Sequence, residues 1–448
     1  MPTDHLFSPI VTTDELLAAT GDRAWLAAML DAEAALARAE AAAGVIPAGA
    51  AEAITAACHP DGFDAADLGR AARGGGNPVI PLVRRLMALV GGDAAEYVHW
   101  GATSQDILDT AAVLVARRAG ALMERDLSRM AAGCAALADR HRHSLMTGRT
   151  LLQPALPVTF GLKAAGWLSG VTDARVALSG ALAGLAVQLG GAAGTLASLG
   201  SRGPQVLAAF AAELGMPEPA LPWHTGRQRT ASLAGAATLC ATTAAKISGD
   251  VALLMQEEVD EASEPAGPDR GGSSSMPQKR NPVAAAAVGA AARRAVALVG
   301  LFYQSVAGEH ERSVSAWPAE WQSLGELLAL AGGAVARTAE TVQGLEVRPD
   351  VMSARVQGLA GSILAERVSL ALAGRLGRAG AREAVAGAGR RATDPTAAAL
   401  AAALLSDPEV AAVVEPAELD ELLDPAGYLG ATQTWIDRAL ARHSELGR

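Results

Sequence analysis

The segment Gly271-Gly272-Ser273-Ser274-Ser275-Met276-Pro277-Gln278-Lys279-Arg280-Asn281-Pro282 gathers groups suited to chemistry on an anion. Three consecutive serines supply hydroxyls, and the paired glycines supply backbone freedom. Asn281 can cap a following helix with Pro282 at its first position, so the segment ends on unpaired backbone donors that favour negative charge. Lys279 and Arg280 add positive charge beside those donors. From the residues alone, the segment is either a site for an anionic substrate or a polar connector with an ordinary cap.

Other residues fit the first option without deciding it. Thr103 and Ser104 open a long helical stretch, where hydroxyls and free amides can hold a carboxylate, although Thr103 with Asp106 also reads as a plain capping box. Arg149, Arg227 and Arg312 can each grip a planar carboxylate with two parallel hydrogen bonds; the alternative for each is a solubilising charge. His224 and His310 titrate near neutrality and can move protons or fix their neighbours. His141 and His143 are two apart, do not face each other on a helix, and are set aside as a metal pair. No acidic or histidine cluster has metal spacing and no glycine-rich phosphate loop follows a strand, so neither metal nor cofactor is expected.

Long helices must position these groups. From Ser104 to about Arg142 nothing breaks the helical pattern, which gives a rod of roughly 55 Å and calls for equally long partners. Segments near 158–190, 229–261, 283–308 and 321–346 answer that need and complete a five-helix bundle. An earlier helix covers Trp25 to Ala43, and the segments shorten again after Pro349. The expected organisation is all-α: a helical domain at 1–102, a central bundle at 103–348 and a small helical domain at 349–448. No strand pattern competes.

The composition narrows the function classes. Half of the 448 residues are apolar and only 3% are aromatic, which excludes dominant disorder and favours close-packed helices rich in alanine. The formal net charge is -10 with no basic tail, so nucleic acid is not an expected partner. Lysine occurs only at Lys163, Lys246 and Lys279. Three scattered cysteines and an opening without a secretory signal point to a reducing cytoplasm. The uncharged stretch from Val176 to Gly200 is long enough for a membrane span but rich in alanine and glycine, and it reads as a helix buried within a bundle or subunit interface rather than in lipid.

Gly-Ser-Ser-Ser-Met-Pro-Gln-Lys-Arg-Asn-Pro at 272–282 resembles the signature of the fumarase/aspartase superfamily, Gly-Ser-Ser-x-Met-Pro-x-Lys-x-Asn-Pro. The resemblance continues through VHWGATSQDILDT at 98–110, GRTLLQPALPVTFG at 148–161, PWHTGRQR at 222–229, GEHERSVSAWPAEW at 308–321 and DPAGYLG at 424–430. Within the superfamily this wording is most similar to the branch of bacterial 3-carboxy-cis,cis-muconate cycloisomerases, with adenylosuccinate lyase as the relative to weigh against it. The resemblance implies a three-domain helical subunit, a homotetramer with active sites shared between subunits, and a small polycarboxylate substrate in the degradation of aromatic compounds.

It also implies roles. Ser273 is the general base in the elimination direction, with Ser274 as the second choice. Lys279 and Asn281 match the carboxylate-binding pair, and Thr103, Ser104, Arg149, Gln153, His224, Thr225, Arg227 and Arg312 fall in substrate-binding segments. One position departs from several relatives: where fumarase, argininosuccinate lyase and adenylosuccinate lyase carry a histidine after Gly-Arg-Thr, this chain has Leu151. The proton donor is then a repositioned serine, His310 or water. Two other readings stand beside the cycloisomerase: an adenylosuccinate lyase-like elimination enzyme, and a helical scaffold that has lost its chemistry.

Overall fold

The computed structural model describes residues 6–267, 271–272, 276 and 278–446. Ser273 and Ser274, the expected base and its alternative, lie outside the described residues. Helix accounts for 71% of the chain, so the fold is all-α. The principal elements in chain order are helix α1 (Asp22–Ala42), α2 (Ser104–Arg140), strands β1 (Leu145–Thr150) and β2 (Gln153–Thr159), α3 (Phe160–Ala183), α4 (Gln228–Leu254), β3 (Ala262–Ser263), α5 (Val283–Ser305), α6 (Ala316–Gln343), β4 (Glu346–Val347), α7 (Pro349–Ile363), α8 (Ala365–Arg391) and α9 (Thr432–Leu446). α2 to α6 are the five long helices expected from the sequence. α6 starts before its expected Trp321 because Pro318 falls in the first turn, where a missing N–H goes unnoticed.

Two expectations are corrected. The stretch from Val176 to Gly200 is not one helix: α3 stops at Ala183 and residues 185–190 are non-helical yet buried. Their polar groups are satisfied elsewhere, since Gln188 N donates to Thr110 Oγ1 at 3.0 Å and Thr110 Oγ1 donates to Gln188 O at 3.0 Å. The one helix among the described residues that is long and apolar enough to cross a membrane is α5. Strands are also present: β1 and β2 form an antiparallel hairpin with Met146 opposite Val158 and Arg149 opposite Pro154, and β3 pairs antiparallel with β4.

The chain divides into two compact units. The first comprises Met1–Ser128, Asp173–Ser248 and Ala284–Thr338. Its core joins Leu26, Leu30 and Leu36 of α1 to Ile107, Leu108 and Val115 of α2 and to Phe210. α1 supplies this core because its buried side is alanine, leucine and Met29 apart from Glu33 and Glu40. The second unit comprises Arg129–Thr172, Gly249–Val283 and Ala339–Arg448, and Val356, Leu364, Leu372, Val385, Leu404 and Leu419 form a core in it.

Candidate active site

Within the first unit, the N-terminus of α2 is built around Asp106. Thr103 N donates to Asp106 Oδ2 at 2.9 Å, which is one half of the expected capping box. Asp106 does more than cap: its Oδ1 accepts from Gly190 N at 2.8 Å and its Oδ2 from Gly191 N at 2.9 Å. His224 Nε2 lies 2.7 Å from Oδ1. The carboxylate is 0% exposed and fully engaged, so the loop through Gly190 and the histidine are locked to the start of the helix.

Gln105 and Asp109, one turn apart on α2, extend the network. Gln105 Nε2 donates to His224 O at 2.8 Å and to Asp109 Oδ2 at 3.1 Å, while its Oε1 accepts from Arg312 Nε at 3.0 Å. Asp109 accepts from Arg227 at 2.7 and 3.2 Å and from Trp317 Nε1 at 3.0 Å. Arg227 also donates to both oxygens of Glu320, at 3.1 and 2.5 Å, and stacks over the Trp223 ring. Burial pushes the Glu320 carboxyl up, against the pull of Arg227.

This geometry corrects the expectation for Arg227. Its guanidinium is buried and its fork is filled by two carboxylates, so it fixes α2, α4 and α6 and has no open edge for a substrate. Arg312, by contrast, is half-buried with Nε on Gln105 Oε1 at 3.0 Å and Nη2 on Gly191 O at 3.5 Å, so no carboxylate among the described residues fills its fork, and with Thr103 and Ser104 it is a candidate carboxylate ligand. Thr225 Oγ1 donates to His310 O at 3.0 Å, which ties the two predicted segments together. His310 itself is exposed with a left-handed φ of 49°.

Sequence reasoning missed His99. Its Nδ1 lies 2.7 Å from Glu33 Oε1 of α1, its φ is 59°, and Asp106 is close enough to act on its charge. The available signal was a histidine two residues before Gly101, which itself takes a φ of 71° in the turn that starts α2.

The second unit holds the remaining predicted residues. Arg149 donates to both oxygens of the buried Glu261 at 2.8 and 2.7 Å. Its fork is thus filled too, which corrects its assignment as a substrate clamp. Gln153 is exposed at the start of β2, beside the hairpin tip, where Leu151 and Leu152 both take left-handed φ of 51° and 65°. Leu151 is 97% exposed. At the base of the serine segment, Asn281 N donates to Gly271 O at 2.8 Å, and Gly271 has a φ of 69° that a residue with a side chain rarely adopts. Arg280 donates to Glu264 O at 3.0 Å and pairs with Glu346 at 3.2 Å, leaving Lys279 exposed between these anchors.

The cysteines take no part. Burial pushes the Cys58, Cys134 and Cys240 thiols up to about 12, and all three are free.

The family described as Lyase matches residues 10–297, and that described as Adenylosuccinate lyase C-terminus matches residues 361–439. The chain belongs to the fumarase/aspartase superfamily of lyases. This lyase is 46% identical to a 3-carboxy-cis,cis-muconate cycloisomerase of Bradyrhizobium diazoefficiens, over 97% of each chain. It is 45% identical to a nitrosuccinate lyase of Streptomyces davaonensis, over 97% of this chain and 94% of that one. The lyase superposes on the solved 3-carboxy-cis,cis-muconate lactonizing enzyme from Pseudomonas putida with a TM-score of 0.92 and 40% identity, covering 99% of this chain and 100% of that one.

Proposed function

We propose that this lyase is a cycloisomerase that closes 3-carboxy-cis,cis-muconate to 4-carboxymuconolactone. The likeness to cycloisomerases over nearly the whole chain, in sequence and in fold, carries the reading. In the reaction one carboxylate oxygen adds to a double bond to form a five-membered ring, and a proton goes to the adjacent carbon. The intermediate bears extra negative charge on carboxylate oxygens, so donors aimed at that charge supply the catalysis. Thr103, Ser104 and Arg312 at the start of α2, with Lys279 and Asn281 beyond the serines, are the proposed donors.

Leu151 fits this chemistry. In the reverse, eliminating direction, the leaving group is a carboxylate, whose conjugate acid has a pKa near ~4, so it departs as an anion without a proton donor. A histidine at 151 would have no leaving group in need of its proton. Ser273 removes the carbon-bound proton in that direction and returns it in the other, by microscopic reversibility; Ser274 is the alternative. His310, exposed and outside any buried network, is retained as the alternative donor.

The proposal includes a homotetramer with active sites shared between subunits, the three-segment organisation at 1–102, 103–348 and 349–448, and a cytoplasmic location. A second reading is favoured by the 45% identity to a nitrosuccinate lyase: an elimination that expels another weakly basic anion would also dispense with a donor at Leu151. Purified protein incubated separately with 3-carboxymuconate, nitrosuccinate and adenylosuccinate, followed by ultraviolet absorbance, separates the readings. Saturable turnover of the first alone is the expected result. Preference for nitrosuccinate or adenylosuccinate, or turnover of none, defeats the cycloisomerase assignment.

A further inference from the structure

Two glutamates of α1 lie on its buried side, which is otherwise alanine, leucine and Met29: Glu33 is 1% exposed and Glu40 is 0% exposed. Burying a carboxylate is costly unless it is paired. Glu40 has no hydrogen-bond partner on either oxygen, and burial first, then the charge of Glu33, push its carboxyl up to about 9, so it is neutral at neutral pH. Glu33 has one partner, His99 Nδ1 at 2.7 Å, and its other oxygen has none. Of the two, Glu33 alone is paired, through one oxygen, with one ring.

We infer that Glu33 is a positioning residue for the reaction, holding His99 as an imidazolium whose free Nε2 edge serves the anion site at the start of α2. The inference rests on the cycloisomerase reading, in which that site takes a substrate carboxylate. Four observations support it. Among the described residues Nε2 of His99 has no protein partner. The ring is fixed by the 2.7 Å contact and by a left-handed backbone that a residue without such an anchor would leave. The charged groups that act on it are Glu33 from α1 and Asp106 from α2; Asp106 is itself engaged by His224 and by backbone amides. Desolvation works against charge on His99, but Glu33 and then Asp106 outweigh it, and its pKa stands above the ordinary histidine value. Chemically, a site for a substrate with three carboxylates gains a third kind of cation, beside arginine and lysine, that is switched by pH.

The sign follows directly. His99 is charged below its pKa, so binding of the polyanion weakens as pH rises through that value. The test compares the parent with Glu33→Gln, which keeps the shape and an acceptor oxygen but loses the charge, and with Glu33→Asp, which restores the charge. Two quantities are read: the titration of His99 by NMR on protein carrying ring-labelled histidine, identified by its loss in His99→Gln, and kcat/KM for 3-carboxymuconate against pH.

In Glu33→Gln, the His99 titration and the alkaline fall of kcat/KM are expected to move down together by about 1–3 pH units, in the range set by loss of an adjacent opposite charge. The loss falls on KM, with kcat changed less than about threefold, and Glu33→Asp recovers part of the shift. A His99 titration that stays put in Glu33→Gln overturns the inference, as does a titration that moves while the kcat/KM limb does not. Should Glu33→Gln fail to fold, the parent still decides: His99 titrating at or below the ordinary histidine range overturns it. A parent that turns over no substrate defeats the cycloisomerase reading, while the titration still tells whether Glu33 sets the charge of His99.

Discussion

Asp106 in the first unit and Glu346 in the second each anchor a segment that carries proposed site residues, by opposite means. Asp106 is 0% exposed and takes three backbone amides and His224 on its two oxygens. The Glu346 side chain is 41% exposed, and it accepts from Arg280, Ser263 Oγ and Ala266 N. The first arrangement admits one geometry, because every departure strands a buried polar group. The second holds its segment by contacts that solvent can replace at small cost. The first unit thus holds the start of α2 in one arrangement, whereas Arg280 in the second is held by contacts at the surface.

Removing a rigid anchor breaks that contrast most severely. Arg227→Gln leaves Asp109 and Glu320 buried without their shared cation, and the expected cost is about 3–5 kcal/mol of stability. A thermal melt reads it as a drop in Tm. A Tm within about 2 °C of the parent would show that the carboxylates find other partners and that the network is not the rigid half of the comparison.

The second largest effect belongs to the proposed base. Ser273→Ala is expected to lower kcat by at least about a hundredfold, the range for a lost proton transfer, with Tm and assembly state unchanged. Near-parental turnover moves the role to Ser274 or elsewhere. Together the two variants separate stability from rate: Arg227 should cost the first, and Ser273 only the second.

How much of this could be read from the chain follows from where each interaction is made. α2 was legible because its aliphatic run, its cap at Thr103 and its lack of breakers are all local. The serine motif was legible because its residues are contiguous. The β1–β2 hairpin was not, since its tip uses Leu151 and Leu152 in left-handed conformations where glycine or asparagine is the usual signal. Nor was the fate of Arg227, whose partner Glu320 is 93 residues away, and a filled fork and an open one look identical in sequence. Glu33 and Glu40 read as ordinary helix charges until burial showed them to be interior.

Glu40 gives a smaller and more graded effect. Its carboxyl is protonated in the fold up to about 9 but ionised in the unfolded chain above the ordinary value of 4.5. Between those limits the native state binds the extra proton, so stability falls as pH rises, by up to about 1.4 kcal/mol per pH unit. Glu40→Gln removes the group and should flatten Tm between pH 6 and pH 8, with its largest gain at the upper end. An unchanged slope would mean that Glu40 is ionised in the fold and that α1 hides a partner for it.

The smallest effect tests the solvent-replaceable side of the comparison. Arg280 holds the Glu346 carboxyl below its usual range, so the pair's contribution is present above the unfolded carboxylate pKa and is lost as pH falls through the native one. Both side chains are over a third exposed, and screening limits the pair to at most about 1 kcal/mol. Glu346→Gln should therefore lower Tm slightly at pH 7 in low salt, and the difference should vanish near pH 3 or in 1 M salt. If this pair were instead as rigid an anchor as Asp106, the loss at pH 7 would approach that of Arg227→Gln and would persist in salt. That outcome would remove the contrast between the two anchors.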